Sequence, residues 1–266
     1  MKTMLSFDTP EAREYVAVRQ AIIDEVVREV RGQFDMKSAL DVGCGVGYFA
    51  KGLADLDFSV VAIDGRSENI LEAQRRYPDL KFSVANAEEL QAESPGIYDF
   101  VLCVGLLYHL ENPFRAIRGL FAVTGKLLFV ESMCVPGAEP ALELLDEGHG
   151  ENQGLNYVAF YPTESCLVKM LYSSGFPHVY GLRHRPAHHS FHDTRDSKRQ
   201  RTVLVASREP LSARSLALLP EPHRPANVWA ISRSAHSSRA QDLKASMRRV
   251  ASSLLGFKAR PPQGLH

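Results

Sequence analysis

An apolar strand that runs straight into a glycine at every second position, Ala39-Leu40-Asp41-Val42-Gly43-Cys44-Gly45-Val46-Gly47-Tyr48, leaves this chain few ways to fold. Gly43, Gly45 and Gly47 can take backbone angles closed to other residues. Lacking side chains, they also let amide N–H groups approach a bound molecule closely. The segment predicts a strand, a ligand-cradling turn and a helix start. A dinucleotide fingerprint would place its third glycine at position 48, which is Tyr48, so the turn is of the nucleotide-binding kind without the dinucleotide spacing.

The rest of the chain repeats the theme. Thr9, Pro10 and Glu11 supply an N-cap, a first-turn proline and a first-turn acid, and apolar residues recur at Tyr15, Val18, Ile22, Val26 and Val30, predicting a long amphipathic helix before the first strand. Ser59 to Asp64 is a short apolar run of the kind buried in parallel sheets. Leu80 to Ala85, Tyr98 to Gly105 and Gly125 to Ser132 read as further strands, and Ser67, Asn112-Pro113 and Pro162-Thr163-Glu164 open the helices between and after them. Pro177 to Arg183 and Arg201 to Ser207 complete an expected seven-stranded, mostly parallel, doubly wound α/β sheet of the Rossmann-like kind.

Two stretches break this rhythm. Residues 133–161 show no clear periodicity, and roughly thirty such positions far exceed the usual loop of about 4 to 6 residues, which marks an insertion with a task such as a substrate lid. Beyond Ser207 the chain turns to Ser, Arg, Ala and Pro, with a short helix expected at about 240–255 and ten Lys/Arg against three Asp/Glu, whereas residues 1–207 carry 21 against 28. The reading is therefore one domain over 1–207 and a basic, poorly packed tail over 208–266.

The glycine spacing, with Asp41 two positions before Gly43, resembles motif I of the class I S-adenosylmethionine (SAM) dependent methyltransferases. Gly105-Leu106-Leu107-Tyr108-His109-Leu110-Glu111-Asn112-Pro113 is similar to a subgroup that includes the tRNA wobble-uridine carboxymethyltransferases and many small-molecule methyltransferases. The likeness spans roughly residues 38–185. It implies SAM as cofactor, with the turn Gly43, Cys44, Gly45 and Gly47 at its methionine part and Asp41 toward the cationic amino end. Asp64, seventeen residues after Gly47, would accept from the ribose hydroxyls, a role that parallels the acid of the dinucleotide fold. Gly65 and Arg66 follow it. Asn86, Ala87 and Glu88 would lie at adenine, and Asn86 departs from the more usual aspartate while keeping hydrogen-bonding capacity. Val104 and Gly105 complete the cofactor set.

Tyr108 and His109 follow the fourth strand, and ligands of open α/β sheets bind beyond the carboxyl ends of strands. His109 has the pKa range of a general base for an attacking hydroxyl or amine, or it shapes the pocket floor as a structural histidine. Sulfonium is already a strong electrophile, so positioning and water exclusion supply much of such catalysis. Glu143, Glu147, His149 and Tyr157 are the lid residues expected to meet substrate. His184, His188, His189 and His192, with Arg183, Arg185 and Arg195, form a basic loop without a recognised zinc spacing, so no metal is expected.

The expected reaction is methyl transfer to oxygen or nitrogen of a small-molecule or sugar-like metabolite. An RNA substrate ranks second, because few aromatics interleave the basic residues: Phe191, Trp229 and Phe257 are scattered. A non-catalytic SAM-binding partner subunit would show a damaged cofactor motif, and this one is intact. No run approaches eighteen apolar residues, and the N-terminus is too polar for a signal peptide, so a soluble cytoplasmic protein with no membrane partner is expected. Cys44, Cys103, Cys134 and Cys166 have no C-x-x-C spacing and read as reduced packing residues.

Overall fold

The apolar runs become the central strands of one sheet in the computed structural model, which describes residues 5–90, 96–149, 154–192 and 200–223. The strands are β1 (Ser38–Val42), β2 (Ser59–Asp64), β3 (Lys81–Val84), β4 (Tyr98–Val104), β5 (Thr124–Cys134), β6 (Leu142–Asp146), β7 (Val158–Pro162), β8 (His178–Leu182), β9 (Gln200–Ser207) and β10 (Leu216–Leu218). The main sheet has the order β10-β8-β9-β5-β4-β1-β2-β3. Pairings from β3 through β5 are parallel, and β5·β9, β9·β8 and β8·β10 are antiparallel. The chain winds outward from β1 to β3, then returns to build β4 and β5 on the other side. That reversal opens a crevice beyond the ends of β1 and β4, where ligands bind in open α/β sheets.

Helices cover both faces: α1 (Pro10–Val30), α2 (Tyr48–Asp55), α3 (Ser67–Arg76), α4 (Pro113–Val123) and α5 (Glu164–Ser174). Successive residues of a strand point to opposite faces, and β4 shows the consequence. Phe100 and Leu102 pack into the core shared with Ile23, Val26 and Val30 of α1 and Ala50 and Leu53 of α2. Val101 and Cys103 join Ile117 and Leu120 of α4 and Leu167 and Leu171 of α5. Thr9 and Thr163 cap α1 and α5 through their side chains, and Gly175 ends α5 at a φ of 115°. Ser67 is the first residue of α3 and Arg66 its N-cap, one place from the expectation. All four cysteines are buried free thiols.

Two expectations need correction. The sheet is not complete at Ser207 and is not seven-stranded: after a turn, Leu216–Leu218 adds an eighth strand against β8, with Leu216 buried. Three residues are too short for a periodicity signal, so only the partner strand reveals them. The 133–161 stretch is also more regular than its sequence, because β5 runs on to Cys134 and β6 pairs with β7 as a hairpin from Leu142↔Pro162 to Asp146↔Val158. Residues up to Pro222 form one compact unit. The helix expected at 240–255 and Arg195 of the basic loop lie outside the described residues. No described helix is long and apolar enough to cross a membrane.

Candidate active site

The glycine turn is bare because its neighbours leave no room. Gly43, Gly45 and Gly47 have φ values of 79°, 52° and 87°. A Cβ on Gly43 would stand 2.8 Å from Leu106 Cδ2, and one on Gly47 would stand 2.9 Å from Phe82 Cζ. The N–H groups of Gly43 and Cys44 donate to the Ile63 carbonyl at 2.8 and 2.9 Å, tying the turn to the end of β2. There Asp64 acts as a clasp. Its Oδ2 accepts the Gly45 N–H at 2.9 Å, while Oδ1 accepts the Arg66 N–H at 2.9 Å and the Asn69 amide at 3.1 Å. A carboxylate has about four acceptor sites, so roughly one remains for a ligand hydroxyl.

Asp41 lies on β1 just before the turn and is 1% exposed, with its Oδ2 lacking a hydrogen-bond partner among the described residues. Burial, reinforced by the nearby Asp64 charge, pushes its carboxyl up to about 7. An acid left short of partners there is matched to a positive group or a water.

The turn opens on a cavity of about 260 Å³. Of the expected residues, Gly43, Cys44, Gly45, Asp64, Gly65, Arg66, Asn86, Ala87, Val104, Gly105, Tyr108 and His109 line it, whereas Asp41, Gly47, Glu88, Glu143, Glu147, His149 and Tyr157 do not. Glu88 turns instead to the start of α4, accepting the Glu111 N–H at 3.0 Å and the Asn112 amide at 2.7 Å. Asn86 caps its own short turn through the Glu88 N–H at 3.0 Å, which leaves its NH2 group to donate.

Glu147, in the stretch expected to be a lid, reaches His109. Glu147 Oε1 lies 2.5 Å from His109 Nδ1, and Glu147 Oε2 accepts the Gly154 N–H at 2.8 Å. Arg66 donates to the Gly154 carbonyl at 2.9 Å, and Leu155 packs over Gly65. The His149 and Tyr157 rings pack against each other tilted by 50°, with centroids 4.0 Å apart. Burial draws the His109 pKa down against the opposing charge of Glu147. At the other rim Phe7 covers Gly45, in a turn pinned by Arg76, which bonds Asp8 Oδ2 at 2.6 Å. The histidines of the basic loop hold no metal-like cluster among the described residues, and His188 stacks on Tyr15 at 5.2 Å.

One wall escaped the sequence reading. Glu131 on β5 is fully buried and is met by Arg201 of β9 at 3.1 Å, the Tyr15 hydroxyl at 3.1 Å and Arg19 of α1 at 3.4 Å. Arg201 also donates to the Tyr108 hydroxyl at 3.2 Å. Burial pushes Glu131 up to about 6 and Arg201 down to about 9. Two signals were present: Glu131 ends the apolar run Leu127–Val130 within its strand, and Arg19 falls four residues after Tyr15 on the apolar stripe of its helix.

Comparison with known proteins agrees with this architecture. Residues 40–126 match the family described as Methyltransferase domain. Ubiquinone biosynthesis O-methyltransferase of Bordetella parapertussis is 30% identical over 138 residues, which cover 46% of this chain and 57% of that protein. The protein of the same name from Aliivibrio fischeri is 28% identical over 182 residues, covering 62% and 74%. The chain thus spans little more than half the length of the first relative. Among solved structures, the N-terminal domain of EvdMO1 with SAH bound is similar at a TM-score of 0.59 and 20% identity, covering 72% of this chain and 80% of that one. Magnesium protoporphyrin IX methyltransferase from Synechocystis PCC 6803 with bound SAM is similar at 0.52 and 20%, covering 79% and 87%. Those likenesses show the fold. Taken with the glycine turn and its Asp64 clasp, they agree with the match of residues 40–126 to the Methyltransferase domain family.

Proposed function

We propose that the protein transfers the methyl group of SAM to an oxygen or nitrogen nucleophile of a small molecule. The observation that carries this reading is His109, held by Glu147 on the wall of the same cavity that the glycine turn opens into. Its relatives' names, O-methyltransferases of ubiquinone biosynthesis, favour oxygen.

The turn amides of Gly43 to Gly45, the free acceptor site of Asp64, and Asn86 with Ala87 are the residues that would hold SAM. The unpaired oxygen of Asp41 would serve its cationic end through a bridging water. When bound, SAM supplies a methyl carbon already activated by its sulfonium. The chain's own residues then orient the acceptor, exclude water and take a proton. Glu147 engages Nδ1 of His109, leaving Nε2 to accept the acceptor's proton. The depressed pKa keeps the ring neutral and ready, and the adjacent carboxylate offsets the charge gained on protonation. Gly154, which donates to Glu147 and accepts from Arg66, is held at the site by both.

The test is methyl incorporation from labelled SAM into a fractionated metabolite pool and, in parallel, into total RNA. Label should enter low-mass compounds, and His109→Ala should lower turnover by roughly 10²-fold or more, the scale of general-base loss, with a smaller change in SAH affinity. Incorporation into RNA with a steep loss of binding as salt rises would overturn the reading.

A further inference from the structure

The strap in front of α1 lies over the glycine turn without an apolar anchor of its own. Ser6–Asp8 form a short turn with no buried residue. The first buried residue of α1 is Ile22, about 18 Å along the helix from Pro10. Yet Phe7 lines the cavity, and a Cβ on Gly45 would stand 3.2 Å from its Cε1. The fastening that holds this cover down is polar. Asp8 Oδ2 accepts from Arg76 at 2.6 Å, and Oδ1 accepts from Arg76 at 3.0 Å, from Arg13 at 3.2 Å and from the Tyr48 hydroxyl. Paired charge-assisted bonds are the strong kind, and with side chains 18% and 13% exposed this pair is screened less by salt than a surface one. The catch stands independently of the strap: Arg76 donates to Glu72 at 2.8 Å and to the Tyr48 hydroxyl at 2.9 Å. Tyr48 opens α2 directly after the glycine turn, and Arg76 ends α3. Tyr15 and Arg19 of α1 are tied separately, to Glu131, so lifting the strap leaves those bonds in place.

We propose that residues 5–9 are a gate over the cavity, fastened shut by Asp8 on Arg76 and Tyr48, whose opening sets how fast SAM enters and SAH leaves. The proposal rests on the methyltransferase reading for the identity of the ligand. The gate is closed over the cavity before any ligand arrives. A ligand therefore enters only those molecules whose strap has lifted, and its observed association rate is reduced by that fraction. A ligand beneath the closed strap waits on the same opening to leave. Loosening Asp8 thus speeds both directions and moves the equilibrium little. Loss of a residue that only touches the ligand acts differently, because it speeds release alone. Release of product past a closed lid limits turnover in many enzymes, and the fastening on Asp8 gives this chain the means to do the same.

Surface plasmon resonance of SAH on the full chain reads both rates. Asp8→Asn keeps the shape of the side chain and removes its charge. It should raise association and dissociation each about fivefold or more, in line with the loss of bonds to a charged group, while Kd changes less than about threefold. Tyr48→Phe removes one bond of the fastening and should raise both rates about twofold. It keeps the pair between Asp8 and Arg76, so the test stays decisive if Asp8→Asn folds poorly. Unchanged rates in the folded variants would overturn the proposal. So would faster dissociation with unchanged association, which would make the strap a ligand contact and not a gate. In both cases SAH still binds and the methyltransferase reading stands. A wild-type chain that binds no SAH would overturn that reading, and the gate with it.

Discussion

The two sides of the cavity are built by different means. On the β1–β2 side the wall is mainly backbone: a turn of glycines at positive φ, of which Gly43 and Gly45 line the cavity, and one carboxylate whose partners lie within nineteen residues of it. On the β5–β9 side, side chains do the work, and Glu131 gathers partners 116 and 70 residues away. Backbone-built sites are set by local chain geometry and suit a ligand that every relative shares. Side-chain-built sites need the whole fold and can change with the acceptor.

That division predicts which measurement each side should move. The largest effect belongs to Glu131→Ala, which strands two buried guanidinium groups. Removing one partner of a buried ion pair costs about 3–5 kcal/mol, so thermal or urea unfolding should show a loss of this size. SAH affinity of the folded protein should change less than twofold. A large fall in SAH affinity would merge the two sides and break the comparison.

Asp41→Asn probes the other side through pH. The Asp41 carboxyl sits at about 7 in the fold against an ordinary 3.8, so its folded form prefers the proton. Its favourable contribution is complete below pH 3.8 and lost as pH rises through 7. The wild-type protein without ligand should therefore lose stability between pH 5 and 8 relative to Asp41→Asn, by on the order of 3 kcal/mol. Saturating SAH should narrow the gap. Equal pH slopes in the two proteins would show that Asp41 is ordinary.

Glu147→Gln should give the smallest of these effects. Glu147 opposes the depression of the His109 pKa, so its removal lowers that pKa further. The rise of turnover with pH should shift to lower pH, and the plateau should fall roughly tenfold as the imidazole loses its orienting partner. An unchanged pH profile would mean that the contact between Glu147 and His109 only closes the lid.

How much was legible follows the same line. The strand-and-glycine run fixed the turn, and Asn112-Pro113 and Gly175 marked helix ends, because these signals act within a few residues. Glu147 could be named as a lid residue, yet its contact with His109 depends on a hairpin whose strands pair Leu142 with Pro162 across an aperiodic loop. Arg19 and Arg201 were invisible as partners because nothing in a linear pattern brings α1 to β9. β10 was missed for the same reason: three residues form a strand only where β8 offers an edge.

Whether the glycine turn and Asp64 hold SAM is read by calorimetric titration of the full chain with SAH. Binding should be saturable at one site, and Asp64→Ala should weaken it by about 1–3 kcal/mol, the scale for losing a charge-assisted hydrogen bond together with the clasp on Gly45. Tight binding of NAD with no heat from SAH, or SAH binding indifferent to Asp64→Ala, would contradict it.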